Sequence, residues 1–180
     1  MSTTLEAVTA QLAELGHKVT TAESCTGGLL AAELTRIPGS SQWFEEGYIT
    51  YSNHAKQRLL NVNDTTLSFY GAVSEECVRE MALGALIAAK ADYALAISGI
   101  AGPDGGSDDK PIGTVWFSLA TKQRIWARQQ CFSGSRDQIR AQAVQFALLF
   151  LQRYLNRSPS RLTLNKPCFQ AAFNPKIPPP

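Results

Sequence analysis

A three-layer α/β/α sandwich around a mixed, mostly parallel sheet of about five strands is the fold this sequence predicts. Two observations carry that expectation. Short β-branched or apolar runs alternate one at a time with amphipathic stretches of helical period, which argues for parallel pairing through helical crossovers. Late in the chain two strand-like runs, Gly113 to Thr121 and Ile125 to Phe132, are joined only by Lys122-Gln123-Arg124, and this hairpin adds an antiparallel neighbour.

Leu5, Val8, Leu12 and Leu15 recur every three or four residues as one helical stripe, and Gly16 follows as its stop. His17 to Ala22 reads as a strand. Thr26 to Ile37 is helical and ends at Pro38-Gly39, after which Ser40 and Ser41 open a short turn carrying Trp43 and Phe44. Gly47 to Tyr51 is strand-like, and Ser52-Asn53 caps a helix that runs to about Leu60. Ser74 caps the clearest helix, with Glu75 and Glu76 at the positive end of its dipole and Val78, Met81, Ala82, Ala85, Leu86 and Ala89 on its buried face. Tyr93 to Ile97 is a buried strand, and Ser98 to Gly106 a glycine-rich loop. After the hairpin, a helix from about Arg136 to Tyr154 presents Ile139, Ala143, Phe146, Ala147, Phe150 and Tyr154 on one face.

Composition excludes several classes. With 180 residues, 44% hydrophobic and 18% charged, the chain suits one globular domain with a real core. It holds no apolar run of the roughly 18 residues a membrane span needs, and its first residues lack the basic and apolar regions of a secretory signal. Cys25, Cys77, Cys131 and Cys168 are scattered without a Cys-x-x-Cys pair, as expected of reduced thiols in a cytoplasmic protein with no zinc site. The formal charge of +2 comes from the end of the chain, where Arg157, Arg161, Lys166 and Lys176 stand without an acid; residues 1–156 alone carry −2. That body lacks the positive field of a nucleic-acid binder. The expected division is a domain over 1–156 and a basic tail over 157–180, which holds six of the nine prolines. The tail reads as a flexible extension or a docking segment.

Three stretches can carry chemistry. Thr21 to Gly28 (Thr-Ala-Glu-Ser-Cys-Thr-Gly-Gly) lies at a strand-to-helix junction, where backbone N–H groups can hold a phosphate or an oxyanion. Ser24 is placed as a nucleophile there. Cys25, expected to have a depressed pKa near a helix start, is not separable from it on local grounds, and either Ser24 or Thr26 can instead be a plain cap. Two glycines in a first helical turn, Gly27 and Gly28, each lower helix propensity by about 1 kcal/mol, which marks a site.

In Tyr51 to Lys56 (Tyr-Ser-Asn-His-Ala-Lys), Lys56 falls in the first turn of a helix. The dipole and partial burial lower its pKa, so that a neutral amine can take a serine proton. The alternative is a solvated lysine with its stem on the apolar face. His54 is a weaker base candidate, with no acid placed near it. The third stretch, Ser98 to Gly106, sits at the carboxyl end of a buried strand, where α/β proteins place ligands. It fits neither the Walker loop nor the dinucleotide fingerprint, and the alternative is a long hairpin-like connection. Ser133-Gly134-Ser135-Arg136 opens the last helix, either as an ordinary cap or as a phosphate site through Arg136 or Arg140.

Together with Gly71 to Glu75 and Lys110 to Trp116, these ordered motifs resemble the nicotinamide-nucleotide amidase family, the stand-alone form of the carboxy-terminal domain of the competence/damage-inducible protein CinA. The resemblance covers roughly residues 1–155. It implies a three-layer α/β/α fold. It also implies hydrolysis of nicotinamide mononucleotide to nicotinic acid mononucleotide and ammonia in pyridine-nucleotide (NAD) recycling, a serine–lysine mechanism, no metal, no cofactor, and a homo-oligomer. Matched to this chain, it makes Ser24 the nucleophile, Lys56 the base and Tyr51 the aromatic hydroxyl of the same motif. Substrate is then expected to meet the backbone at Cys25, Thr26, Gly27 and Gly28, the loop residues Ser98, Gly99 and Gly102, and Arg136 or Arg140. The tail lies outside the family pattern, as does the larger amino-terminal domain of full-length CinA. The alternative from another class is a non-catalytic nucleotide-binding or interaction domain of the same fold, which ammonia release distinguishes.

Overall fold

The computed structural model describes residues 3–157, so the tail expected from 157 onward lies, after its first residue, outside the described residues. Helix α1 (Thr4–Leu15) starts at a capping box between Thr3 and Glu6 and ends at Gly16 in the left-handed region. Strand β1 (Val19–Glu23) follows, then α2 (Leu29–Leu34), a 3₁₀ turn (Ser40–Gln42) and the short strand β2 (Gly47–Ile49). Helices α3 (Asn53–Leu60), α4 (Asp64–Phe69) and α5 (Glu75–Ala89) lead to β3 (Tyr93–Gly99). The hairpin β4 (Thr114–Thr121) and β5 (Ile125–Cys131) precedes α6 (Arg136–Arg157).

The five strands form one sheet in the order β2-β1-β3-β4-β5. β1 pairs in parallel with both β2 and β3, and β3–β4 and β4–β5 are antiparallel. Four strands therefore point the same way and only β4 runs against them, as the single-strand rhythm and the one hairpin require.

Alternation along β3 builds the two cores. Tyr93, Leu95 and Ile97 face the layer of α1, α2 and α6, packing with Leu5, Val8, Leu12, Leu30, Leu34, Ile139 and Leu148. Ala94 and Ala96 face the other layer, where α5 presents Val78, Met81, Ala82 and Ala85. Small strand residues on that face let α5 lie close to the sheet, and α3 packs in turn on α5. Gly84 makes that second contact possible, since a methyl there would overlap the Leu60 carbonyl oxygen.

Three elements differ from expectation. The helix expected from Thr26 begins at Leu29, because residues 25–28 form a separate turn. Strand β2 stops at Ile49, and the chain leaves the sheet before Tyr51. Helix α4 is absent from the sequence reading. Its six residues include two β-branched threonines, which weaken the local helix signal. It is held by a tertiary partner: the Glu80 carboxylate accepts hydrogen bonds from the Asn63 N–H at 2.8 Å and the Thr66 hydroxyl at 2.7 Å.

Candidate active site

The parallel strands β2, β1 and β3 all deliver their carboxyl ends to one edge, and the three motif stretches meet there. Ser24 directly follows β1, and its N–H donates to the Ile97 carbonyl of β3 at 2.9 Å. Tyr51 and Ser52 follow β2. The Ser52 hydroxyl, rather than Asn53, caps α3 by accepting from the Ala55 N–H at 3.0 Å, which places Lys56 one turn into the helix.

Lys56 is turned inward and is 1% exposed. Its Nζ lies 3.0 Å from Ser24 Oγ and donates to the Thr50 carbonyl at 2.8 Å, with the Tyr51 carbonyl at 3.5 Å. No carboxylate pairs with it among the described ion pairs. Burial therefore holds its pKa below the ordinary lysine value, the neighbouring Cys77 and Cys25 offsetting only part of the effect. Ser24 is 9% exposed. An unprotonated Lys56 amine at this distance can accept the Ser24 proton, which is the arrangement of an activated nucleophile.

Cys25 departs from its expected state. The thiol is buried, and burial pushes its pKa up to about 11, the reverse of the depression expected near a helix start. The helix dipole begins four residues later, and the side chain points into the apolar layer beside α6. A thiol with that pKa stays protonated near neutral pH and is a poor nucleophile. His54 is exposed on the outer side of α3, and His17 contacts the Tyr93 hydroxyl at 3.0 Å at the opposite edge of the sheet.

The turn after Ser24 is held by two groups the sequence reading assigned elsewhere or not at all. The Gly27 N–H donates to the Ser24 carbonyl at 3.1 Å and the Gly28 N–H to the Glu23 carboxylate at 3.1 Å. Gly27 and Gly28 therefore have their N–H groups occupied, and of the four residues expected to meet an oxyanion only Cys25 and the wholly buried Thr26 remain as candidates. Arg140 faces this turn from α6, its Nε donating to the Cys25 carbonyl and its Nη2 to the Thr26 carbonyl, both at 3.1 Å. Those bonds make it a clamp on the backbone. Glu23 is 0% exposed, and its role is not evident from the local sequence. The available signal was a carboxylate on a buried strand, upstream of a helix whose N-cap, Gly28, has no side chain.

Arg136 sits at the mouth instead. Its Nη1 donates to the Gly102 carbonyl at 2.7 Å and its Nη2 to the Tyr51 hydroxyl at 3.0 Å, tying the glycine-rich loop to the start of α3. Tyr51 is 61% exposed, so its ring belongs to the rim while its carbonyl touches Lys56. Ser98 spends its hydroxyl on the Ala72 carbonyl at 2.7 Å, and a side chain at Gly99 would collide with Val115, so both serve packing under the loop. Ser135 acts as a helix cap, exchanging hydrogen bonds with Gln138. Among the described residues no three His, Cys, Asp or Glu side chains converge at metal-ligand spacing, and no helix is long and apolar enough to cross a membrane. An open apolar groove between α2 and α6, lined by Leu29, Phe132, Phe146 and Leu149, lies apart from the Ser24–Lys56 pair.

A serine hydroxyl 3.0 Å from a buried lysine amine, at the carboxyl ends of parallel strands in an α/β sandwich, is an arrangement that can support hydrolytic chemistry. The CinA C-terminal domain family matches residues 1–155, and the chain belongs to that family. Over 145 residues it is 57% identical to nicotinamide-nucleotide amidohydrolase PncC of Escherichia coli K12, covering 79% of this chain and 88% of that protein. It is 50% identical over 137 residues to the protein of the same name from Pseudomonas putida, covering 76% and 86%. The fold matches a CinA superfamily crystal structure from Klebsiella pneumoniae with a TM-score of 0.81 and 43% identity, over 86% of this chain and 99% of that one.

Proposed function

We propose that this protein is an amidohydrolase that converts nicotinamide mononucleotide to nicotinic acid mononucleotide and ammonia, returning the pyridine ring to NAD synthesis. The observation that carries the reading is the 3.0 Å contact between Ser24 Oγ and the buried, acid-free Lys56 amine; the relatives named for that amidohydrolase activity supply the substrate.

Neutral Lys56 takes the Ser24 proton as Oγ attacks the carboxamide carbon. Negative charge develops on the carbonyl oxygen and meets the N–H groups of Cys25 and Thr26. As the tetrahedral intermediate collapses, the C–N bond breaks and the Lys56 ammonium gives its proton to the leaving nitrogen, which departs as ammonia. A nicotinoyl ester remains on Ser24. Lys56, neutral again, deprotonates water for attack on that ester. The carboxylic acid product leaves, and Ser24 recovers its proton.

Arg136 and Tyr51 lie at the mouth, where the ribose phosphate enters. The guanidinium geometry suits a phosphate, and Tyr51 supplies a hydroxyl beside it. The expected homo-oligomer belongs to the same reading and is checked on a sizing column. The experiment for the function is incubation of the purified chain with nicotinamide mononucleotide, with ammonia and nicotinic acid mononucleotide measured together and the protein mass followed for the ester. Equimolar products and a transient adduct on Ser24 are expected. Binding without ammonia release would instead make this a nucleotide-binding domain.

A further inference from the structure

Of the groups this mechanism leaves idle, Glu23 is the least expected in a protein interior. It is fully buried, directly precedes Ser24, and forms none of the described ion pairs. Its carboxylate is spent on backbone. Oε2 accepts from the N–H groups of Gly28 at 3.1 Å and Leu30 at 3.0 Å, and Oε1 from that of Ala31 at 2.8 Å. These are the unsatisfied donors of the first turn of α2, whose N-cap glycine offers no side chain. Position 28 cannot readily supply a side-chain cap, since its φ of 98° lies in the left-handed region and a Cβ there would come within 3.1 Å of Ile49 Cδ1, so a buried carboxylate on a central strand meets the need instead. The arrangement chosen ties the start of α2 rigidly to β1, across the five residues that carry Ser24.

Arg140 holds the same turn from the other side. A trans peptide points its N–H opposite to its carbonyl. Because Arg140 Nε engages the Cys25 carbonyl, the Thr26 N–H of that peptide is aimed away from the guanidinium. The turn is therefore gripped at its carbonyls by α6 and at its far end by Glu23.

We propose that Glu23 is a positioning residue for the hydrolysis. Its carboxylate anchors the end of the nucleophile turn, so that Ser24 Oγ and the Thr26 N–H keep their relative placement while charge moves between substrate and Lys56. It touches neither substrate nor base and acts through the backbone. The inference rests on the reading of Ser24 as nucleophile.

The test is Glu23→Gln, nearly the same shape, with one oxygen replaced by an amide nitrogen that cannot accept. In ammonia release from nicotinamide mononucleotide, kcat should fall about tenfold to hundredfold, the scale of a displaced reacting group. KM should stay within about threefold, and the ascending limb of the pH–rate profile should not move, since Lys56 is untouched. A folded variant with kcat within about twofold of the unsubstituted chain overturns the proposal. So does a rise in KM at constant kcat, or a shifted pH limb, which would make Glu23 act on substrate or on the lysine. If the glutamine variant does not fold, Glu23→Asp, which keeps the charge and shortens the reach, is read by the same criteria. Failure of both to fold assigns Glu23 to general stability and overturns the inference. Ser24→Ala, run alongside, separates the two readings. Turnover by that variant defeats the serine nucleophile, whereas its inactivity beside a normal Glu23→Gln defeats only the anchor.

Discussion

Ser24 and Lys56 stand 32 residues apart in the chain and 3.0 Å apart in the fold, joined by the parallel pairing of β1 and β2 and the inward turn of α3. A buried lysine without an acid is a standing cost to stability, and here its amine ends on a hydroxyl at the rim of the sheet. Substitutions should separate the two members of this pair from the thiol beside them. Ser24→Ala is expected to lose about 10³-fold or more in turnover, as is usual when one member of a nucleophile–base unit is removed. Cys25→Ala should keep most of its activity and lose about 1 kcal/mol of stability from the vacated sulfur volume. The check is steady-state ammonia release and urea denaturation of both variants.

The pH dependence of the rate follows from the direction of the lysine shift. Only the neutral amine can take the Ser24 proton, so turnover should rise with pH along a limb set by Lys56. Burial puts that limb below the ordinary lysine value of 10.5. A rate profile over the range in which the protein stays folded measures it. A limb at or above 10.5 would mean a solvated, ordinarily protonated amine.

The same shift acts on stability, and its sign is fixed. Between the lowered folded pKa of Lys56 and 10.5, the unfolded chain binds more protons at this site than the folded one, so stability rises with pH across that window. Below the folded pKa both states are protonated and the penalty is constant. Lys56→Met removes the effect. The urea midpoint of the unsubstituted protein, taken relative to that of Lys56→Met, should therefore increase as pH is raised toward 10.5. The tyrosines are common to both proteins and cancel, and the comparison stops at 10.5 because Cys25 and Cys77, which interact with Lys56, are pushed up to about 11.

Packing behind the lysine gives a prediction independent of chemistry. Gly84→Ala places a methyl against the Leu60 carbonyl at the end of α3. Backbone must shift, with a loss of about 1–3 kcal/mol or more. Because α3 carries Lys56, turnover should fall as well. Thermal unfolding and ammonia release on the same preparation check both.

Much of this was legible in the sequence because its signals are local. The cap at Ser74, the stop at Gly16 and the hairpin at Lys122-Gln123-Arg124 depend on residues within a few positions of one another. Ser24 and Lys56 were legible as candidates for the same reason, each lying where a strand end meets a helix start. What was not legible depends on distant partners. Helix α4 relies on Glu80 for its first turn. Arg140 reads as a phosphate ligand at a helix opening, yet its hydrogen-bonding partners are carbonyls more than 100 positions away. Glu23 hides within a motif whose chemistry draws the eye to its neighbours. The thiol of Cys25 escapes the local string because its pKa is decided by burial, and because α2 starts at Leu29 rather than at Thr26.

Ammonia release from nicotinamide mononucleotide, measured side by side for the unsubstituted chain, Ser24→Ala and Lys56→Met, with and without a chelator, tests the Ser24–Lys56 mechanism most directly. One ammonia per nicotinic acid mononucleotide from the unsubstituted chain, no change on adding chelator, and loss of about 10³-fold or more in both variants is the expected result. Turnover that survives in Ser24→Ala or Lys56→Met, or that disappears with chelator and returns with zinc or magnesium, would contradict it.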